Sequence, residues 1–420
     1  MLMLAQLPIP AIDRFGLPGH PALLLLLYHV TFVLHLLFMN FALGGAVVCL
    51  VNEIRATWSA NADYLVDLNR RIFLALPVAV SFAVTFGVAP LLFVQALYGQ
   101  FFYTAMILIG LPWLVVVAVL IVVFYLIYLA RFGARPLGLG NRLLRIVITA
   151  GIAAGLAAVA LVLTSNAVWS ITPPQWLAKY RSSSLSFFPA EPHFWYRYAH
   201  NLVGGTAMAC LLTAAMARAL HRRGVVDQFW ANRTVAGFLL VAAALTAVQM
   251  LVGAGVIVNL RSDVRDDVML MSWGNLHVWG WRLGVAAAIG AIIAMVRGVS
   301  QPHRALWPWL SLGLIVVTLG GMSMARQAVR AGYLDGVQFS LNQWVEPAHS
   351  TSQFSPFIVF LLSFVVAIAV VGWMLWVCWH IPPQPAQATT AAAPPPVEEQ
   401  LPTEDASVST PSDEQPTQPA

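Results

Sequence analysis

Histidines inside apolar stretches are the residues of this sequence best suited to chemistry. His29 and His35 interrupt the uncharged run from residue 20 to 51, and His200 lies in a second apolar run. A polar group in lipid is costly unless it faces the protein interior and has a partner there. His29 follows Pro21 by eight residues and His200 follows Pro192 by eight, so each should lie about 12 Å along its helix. Two buried imidazoles at equal depth on two helices favour a metal centre or a haem.

The spacing of the histidines favours haem over a small metal ion. His29 and His35 are six residues apart, which turns them about 240° around a helix axis and prevents both from reaching one ion. A b-type haem instead needs an imidazole from each of two helices and apolar walls. Glycines at 44–45 and 204–205 are predicted to let a flat macrocycle approach. The alternative is that each histidine bonds a backbone carbonyl between helices.

Arginines within apolar segments add to this prediction. Arg282 lies a short way inside a predicted span, and no Asp or Glu occurs in any predicted span. A haem propionate would provide the missing counterion, and the alternative is that Arg282 snorkels to the surface. Arg197, three residues before His200, should face the same way and could serve the same purpose. No CxxCH motif occurs, which excludes covalently attached c-type haem.

The composition defines the elements that must position these residues. Hydrophobic residues make up 60% of the chain and charged residues 9%, against about 25% charged in soluble proteins. Apolar runs long enough to cross a bilayer predict an all-α, polytopic membrane helix bundle with about nine transmembrane helices. The predicted spans are 22–50, 72–98, 101–130, 143–169, 194–220, 234–260, 276–296, 305–324 and 355–379.

The distribution of charge predicts orientation and domains. Positive residues are more frequent in the loops that an N-out, C-in arrangement places in the cytoplasm, so we expect that topology in the inner (cytoplasmic) membrane. The net charge of +5 is then a topology signal and does not indicate nucleic-acid binding. Residues 1–380 are predicted to form the membrane bundle, with membrane lipid as its surroundings. Residues 381–420, acidic and rich in Pro, Ala and Thr, are predicted to form a disordered cytoplasmic tail.

The order of these features resembles subunit I of cytochrome bd quinol oxidases over roughly residues 20–380. LYHVTFVLHLLFMNFALGGAVVCLVNEIRA is similar to that family's first helix, and SLSFFPAEPHFWYRYAHNLVGG resembles the lead into its fifth. HVWGWRLGV looks like part of the seventh helix, and ARQAVRAGYL resembles the family's Gly-Arg-Gln-Pro-Trp segment. The resemblance implies a bundle that binds haem b and uses quinol as its substrate.

Carried over residue by residue, the resemblance assigns roles. His29 matches the histidine associated with the family's oxygen-reducing haem pair, and His200 matches the ligand of the low-spin haem b. Arg282 and Arg326 match positions near haem propionates. These roles are expectations that the resemblance implies.

Departures from the family pattern argue against oxygen reduction. The methionine that completes the low-spin haem falls on Gly284, and a glutamate of the eighth helix falls on Ser323. The third span contains no acidic residue, and the quinol-binding loop is reduced to RSDVRDDVMLMSWGN. Reducing oxygen consumes protons in a dry site and therefore requires a carboxylate relay. His277, two turns from Gly284 on the same helical face, is a candidate replacement ligand that would pair with His200 around a haem b.

The preferred functional hypothesis is a membrane electron-transfer subunit with one or two haems b. It would pass electrons from quinol to a periplasmic acceptor, and its expected protein partner is a periplasmic cytochrome or a small membrane subunit. One alternative is a divergent cytochrome bd-type quinol:oxygen oxidoreductase. Another is a haem-free structural subunit of a respiratory complex. The sequence leaves open the roles of His35, His193 and His349.

Overall fold

The computed structural model describes residues 9–11, 16–132, 142–182, 185–270, 274–344 and 354–380, and every regular element in these ranges is a helix. The α-helices are α1 (Pro21–Arg55), α2 (Ala62–Leu108), α3 (Gly110–Phe132), α4 (Arg142–Trp169), α5 (Trp176–Arg181), α6 (His193–Arg222), α7 (Gln228–Val258), α8 (Leu276–Ser300), α9 (Leu306–Asp335) and α10 (Phe354–His380). Short 3-10 turns precede α5 and α10, and a π-helical turn, Val264–Leu270, precedes α8. The predicted tail and His349 lie outside the described residues.

Nine of the helices in the described ranges are long and apolar enough to cross a membrane, all of them except α5. The prediction of an all-α bundle with about nine spans is therefore confirmed. The N-out, C-in orientation stays a prediction. By internal contacts, the described residues up to 371 belong to one compact unit and the described residues from 372 onward to a second, so the boundary falls within α10.

Several helices continue beyond the apolar runs that predicted them. α2 extends to Leu108 across a kink at Tyr98, where φ is −136° and ψ is 30°. α9 extends to Asp335 and therefore carries Arg326 and Arg330 on the helix. The sequence understated the length of α9 because hydropathy falls where charged residues begin, although a charge with partners does not end a helix. The end of α2 was understated for another reason: residues 99–108 carry no charge, and the apolar run from residue 101 was predicted to begin the next span.

Glu53 also lies in the part of a helix that extends beyond its predicted span. The expectation that no carboxylate lies within a membrane helix was therefore wrong. α1 continues to Arg55, and Glu53 is buried in its last turn. Arg145 Nη2 of α4 lies 3.3 Å from Glu53 Oε2, and Asn69 Nδ2 of α2 donates a 3.1 Å hydrogen bond to Oε1. A buried carboxylate needs such partners, and here they join three helices.

Close glycine contacts set the packing of the helix pairs. A Cβ on Gly44 would lie 2.0 Å from the carbonyl oxygen of Gly205, so α1 and α6 touch backbone to backbone. A Cβ on Gly321 of α9 would lie 2.6 Å from Cα of Gly284 in α8. Small residues at such positions let membrane helices approach closely. The prediction that the glycines at 44–45 and 204–205 face a macrocycle was wrong, because all four face neighbouring protein atoms.

The helix order brings one set of helix ends together. The N-termini of α1, α6 and α8 and the C-terminus of α9 lie at one end of the bundle, which we call the His29 end. Contacts among Tyr28, His29, His277 and Arg330 connect three of these helix ends directly. The predicted site residues on α1, α6, α8 and α9 therefore share one end of the molecule.

Candidate functional site

His29 is held by one ring nitrogen and has the other available. Its Nδ1 lies 2.7 Å from Oγ of Ser323, a fully buried residue of α9. Its Nε2 is buried and has no hydrogen-bond partner among the residues that the structure describes. A histidine that binds a metal usually donates its other N–H to a neighbouring acceptor, which fixes the tautomer and the ring orientation. Ser323 can accept that bond, which leaves the lone pair on Nε2 free for a ligand.

His277 of α8 lies beside His29. The two ring centroids are 5.6 Å apart, with the ring planes inclined by 47°. The backbone N–H of His277 is capped by Asn275 Oδ1 at 2.9 Å, which fixes the start of α8 and so the position of the ring. The structure thus brings His277 together with His29, whereas the sequence analysis paired His277 with His200.

Arg330 is a buried arginine close enough to this histidine pair to act electrostatically on His29. Arg330 is 6% exposed, and its guanidinium carbon lies 5.5 Å from the ring centroid of Tyr28 and 4.6 Å from that of Tyr98. Its Nη1 donates to Gln327 Oε1 at 3.2 Å. Gln327 in turn donates through Nε2 to the hydroxyl of Tyr98. Two aromatic faces and an amide oxygen therefore hold a positive charge that also acts electrostatically on His29.

Arg326 and Arg197 extend this positive region. The guanidinium carbon of Arg326 lies 5.1 Å from the ring centroid of Phe32. Arg197 of α6 is repelled by Arg326 and Arg330 and is attracted by Glu191. Among the ion pairs within the described residues, none involves these three arginines. We call Arg197, Arg326 and Arg330 the arginine cluster.

A cluster of three like charges at a largely buried site favours the binding of further negative charge, beyond the attraction that Glu191 exerts on Arg197. Each charge removed from water carries a desolvation cost, and mutual repulsion adds to it. An anionic group of a bound molecule can satisfy several guanidinium groups at once through charge-assisted hydrogen bonds. The arrangement is therefore suited to a ligand with carboxylates.

Arg282 makes a different set of contacts. Its Nη2 donates to the carbonyl oxygen of Leu270 at 3.1 Å, and its guanidinium carbon lies 5.2 Å from the ring centroid of Trp279. The side chain is thus engaged with the segment that precedes α8. Its predicted role near a propionate stays a prediction.

His200 is placed against α7. Its Nε2 lies 3.2 Å from Gln249 Nε2, and a Cβ on Gly253 would lie 3.2 Å from its Cε1. Its Nδ1 is buried and, within the described part of the chain, has no hydrogen-bond partner. An iron ligand at Nε2 would require the amide of Gln249 to move away, so His200 fits a ligand role less readily than His29. Its assignment as a haem ligand stays a prediction.

His35 has the structural role that was left open as an alternative. Its Nδ1 lies 2.8 Å from the carbonyl oxygen of Ala83 in α2, and a Cβ on Gly87 would lie 2.9 Å from that same nitrogen. This bond satisfies a backbone carbonyl between two membrane helices.

The segment between α7 and α8 carries an ion pair at the surface. Arg261 Nε and Nη2 donate to the two carboxylate oxygens of Asp263 at 2.6 and 2.7 Å. These bonds lower the pKa of Asp263 and raise the pKa of Arg261. The guanidinium of Arg261 also lies over the ring of Tyr333, at 4.9 Å from its centroid. This pair attaches the segment to α9.

The residues at the His29 end fit a haem. The orphaned Nε2 of His29 could supply one iron ligand, His277 offers a second imidazole beside it, and the arginine cluster would suit two propionates. Sequence reasoning missed Tyr28, Tyr98, Gln327 and Arg330. A second arginine four residues after Arg326, on the same helical face, was the available signal for Arg330.

The described helices define the class: a multi-pass helical membrane protein. The sequence matches no known family model and no curated protein. Among solved structures, the fold is similar to that of the bd oxidase from Geobacillus thermodenitrificans, with a TM-score of 0.67 at 12% sequence identity. The match covers 86% of this chain and 98% of that one. The predicted likeness to cytochrome bd oxidases is thus confirmed at the level of the fold.

Proposed function

We propose that this protein is a haem b-containing electron-transfer subunit of the inner membrane that takes electrons from quinol and passes them to a periplasmic acceptor. One observation carries the proposal. Among the described residues, the buried Nε2 of His29 has no hydrogen-bond partner, its Nδ1 is anchored by Ser323, and the arginine cluster nearby, in which Arg330 is buried, makes no ion pair.

In this proposal each residue has a defined task. His29 binds the iron, and His277 is the candidate for the opposite ligand. Arg326, Arg330 and Arg197 bind the propionates, and Arg282 stays a further candidate. The haem, when bound, supplies one-electron redox chemistry. The protein positions it near one end of the bundle, where a soluble or membrane partner can approach.

The likeness of the fold to a bd oxidase supports a second candidate, a divergent quinol:oxygen oxidoreductase. The neutral Ser323 beside His29 argues against it, because this position offers no proton carrier for oxygen chemistry. A third candidate is a haem-free structural subunit. The contact between Gln249 and His200 favours it, since that histidine already has a partner within the protein.

The test is an anaerobic spectroscopic titration of purified protein with a reduced, short-chain quinol. We expect a reduced-minus-oxidised difference spectrum of a b-type haem to develop on quinol addition. Subsequent addition of oxygen separates the first two candidates, because an oxidase returns the spectrum to the oxidised form with uptake of oxygen. A colourless protein excludes both and leaves the structural candidate.

A further inference from the structure

At the end of the bundle opposite the His29 end, arginine and aromatic side chains join α2 to α7. The guanidinium carbon of Arg71 lies 5.1 Å from the ring centroid of Trp230, and that of Arg233 lies 4.5 Å from the ring centroid of Tyr64. The two rings meet edge to face, with 5.9 Å between their centroids. We call Tyr64, Arg71, Trp230 and Arg233 the α2–α7 rim.

The aromatic contacts orient both guanidinium groups and leave N–H donors for a ligand. A guanidinium that lies over an aromatic ring makes this contact through its face, while its five N–H donors lie in its plane. Arg71 Nε donates to Asp67 at 2.8 Å, and Arg233 Nη1 donates to Asn61 Oδ1 at 3.3 Å. The buried indole Nε1 of Trp230 has no hydrogen-bond partner among the described residues. The rim therefore suits a ligand with several acceptor oxygens.

Two arginines at this end have no carboxylate partner within the described part of the chain. Arg55 and Arg233 take part in none of its ion pairs, and both act electrostatically on the tyrosine of the rim. Asp67 is already shared by Arg70 and Arg71, at 3.5 and 2.8 Å. The other carboxylates in the adjoining turns are Glu53, which pairs with Arg145, Asp63, and Asp227, the N-cap of α7. The unpaired arginine charges favour an anion at the rim.

Exposed aromatic residues indicate that the rim lies at the level of the lipid headgroups. Trp58, just after α1, is 78% exposed, and Phe229, next to Trp230 on α7, is 77% exposed. Aromatic side chains are enriched where a membrane meets water. An anionic group that reaches the rim from this level is that of a lipid headgroup or of a small ion in solution.

Below the rim, exposed apolar residues continue on the same helical faces. Leu74 and Val78 follow Arg71 on α2 by three and seven residues, and both are exposed. On α7, exposed Leu240 follows Arg233 by seven residues. Gly237, between them, has nothing within 4 Å of an added Cβ. The two apolar faces begin at side chains that touch across the rim, and they have room for acyl chains beside them.

We propose that the α2–α7 rim binds the phosphate group of an anionic phospholipid, whose acyl chains pack on the apolar faces below. The unesterified phosphate oxygens would accept charge-assisted hydrogen bonds from Arg71 and Arg233, and Arg55 would add positive charge. The predicted N-out, C-in topology places the rim on the cytoplasmic side, and basic pockets between helices on that side bind anionic headgroups. The site uses no haem and is independent of the proposed function.

The experiment measures lipid binding to the purified protein in a neutral detergent by native mass spectrometry. Phosphatidylglycerol is the anionic probe, and phosphatidylcholine with the same acyl chains is the zwitterionic one. We expect phosphatidylglycerol to bind more tightly. Arg71→Gln and Arg233→Gln should each weaken its binding by about fivefold, the contribution of one arginine near an anionic lipid surface. Arg70→Gln is the matched control, because its side chain is 74% exposed and it removes the same charge from the same turn.

Two further measurements keep the test decisive. Arg233→Lys retains a positive charge and should bind more phosphatidylglycerol than Arg233→Gln, and circular dichroism checks that each variant keeps its helices. Inorganic phosphate at the concentration of the lipid should not displace it, because the free ion has no acyl chains. Equal binding of the two lipids, or an equal loss in Arg70→Gln and Arg233→Gln, overturns the site. Displacement by inorganic phosphate overturns the lipid as its ligand.

Discussion

His29 and Ser323 show how a departure from a family pattern can still support the same site. In sequence, Ser323 stands where the resemblance implies a glutamate. In the structure its hydroxyl lies 2.7 Å from His29 Nδ1, the position that a partner of a metal-binding histidine occupies. A neutral hydroxyl orients the ring without adding negative charge. The residue that cannot carry protons for oxygen chemistry can therefore still orient a ligand for electron transfer.

Replacing His29 tests the ligand assignment. His29→Ala removes the unpartnered Nε2 and leaves His277 alone at this site. We expect the visible spectrum of the purified variant to lose the b-type haem associated with His29. His303→Ala is the matched control, because His303 is exposed and lies in the loop before α9. A variant with the spectrum and haem content of wild type would show that another residue holds the iron.

Arg330 should set the redox potential of the haem. Its positive charge stabilises the reduced form, in which the iron carries one positive charge less. Arg330→Gln is expected to lower the midpoint potential by roughly 50 mV, near the 59 mV that corresponds to a tenfold change in a one-electron equilibrium. Arg330→Lys should keep most of the potential. A redox titration that gave the same midpoint for Arg330→Gln and wild type would place the haem away from the arginine cluster.

The sequence could predict part of this site and not the rest. His29 could be predicted because it is an isolated polar residue in an apolar run. Arg326 could be predicted because its segment resembles one in a known family. The pairing of His29 with His277 depends on how α1, α8 and α9 pack. Tyrosine is common in membrane helices, so the sequence does not single out Tyr28 and Tyr98. Only the structure shows that their rings enclose Arg330.

At the scale of the helices, glycine positions decide which pairs touch. α1 and α6 approach each other at Gly44 and Gly205 so closely that no side chain fits between their backbones. This contact fixes the relative position of the helices that carry His29 and His200. At the depth of Gly44, the two helices therefore leave no space for a cavity shared by the predicted His29 and His200 sites.

Gly44→Ala should therefore destabilise the bundle. Its Cβ would lie 2.0 Å from the carbonyl oxygen of Gly205, and backbone atoms cannot rotate away. We expect a loss of about 3 kcal/mol or more, at the upper end for overpacked cores, measured by unfolding in detergent mixtures. Gly237→Ala on α7 is the control, because nothing lies within 4 Å of its added Cβ. That variant should be unchanged or more stable by up to about 1 kcal/mol. Equal stabilities of the two variants would contradict the α1–α6 packing.

The segment before α8 should respond to pH through Asp263. Its pKa is lowered in the folded protein by the hydrogen bonds from Arg261. A group with a depressed folded pKa contributes stability above its unfolded pKa and loses it as the pH falls through the folded value. We expect Asp263→Asn to weaken attachment of this segment at neutral pH, seen as faster amide hydrogen exchange, and to match wild type in acid. A difference of the same size at low pH would exclude the ion pair as its cause.

At the scale of the whole molecule, apolar length alone predicted nine spans, and the described residues contain them. The errors lie at the helix ends. Glu53, Arg326 and Arg330 were placed outside the spans because charge ends a hydropathy window, although partners from other helices keep these residues helical. A sequence records the charge of such residues and not their tertiary partners.

The whole-molecule account combines a fold with a site. The arrangement of the helices is similar to that of a bd oxidase, but the sequence identity is 12%, so the fold by itself does not determine the chemistry. The chemistry depends on the His29 end, where an orphaned imidazole and a second imidazole lie near buried Arg330 and half-buried Arg197 and Arg326.

The haem content of the purified protein is the most direct test. A pyridine haemochrome assay on protein purified from a haem-sufficient membrane measures both the type of haem and its ratio to polypeptide. We expect a b-type spectrum with one or two haems per chain. A colourless protein, or haem far below one per chain, would contradict the account, because His29 and the arginine cluster would then have no iron and no propionates to bind.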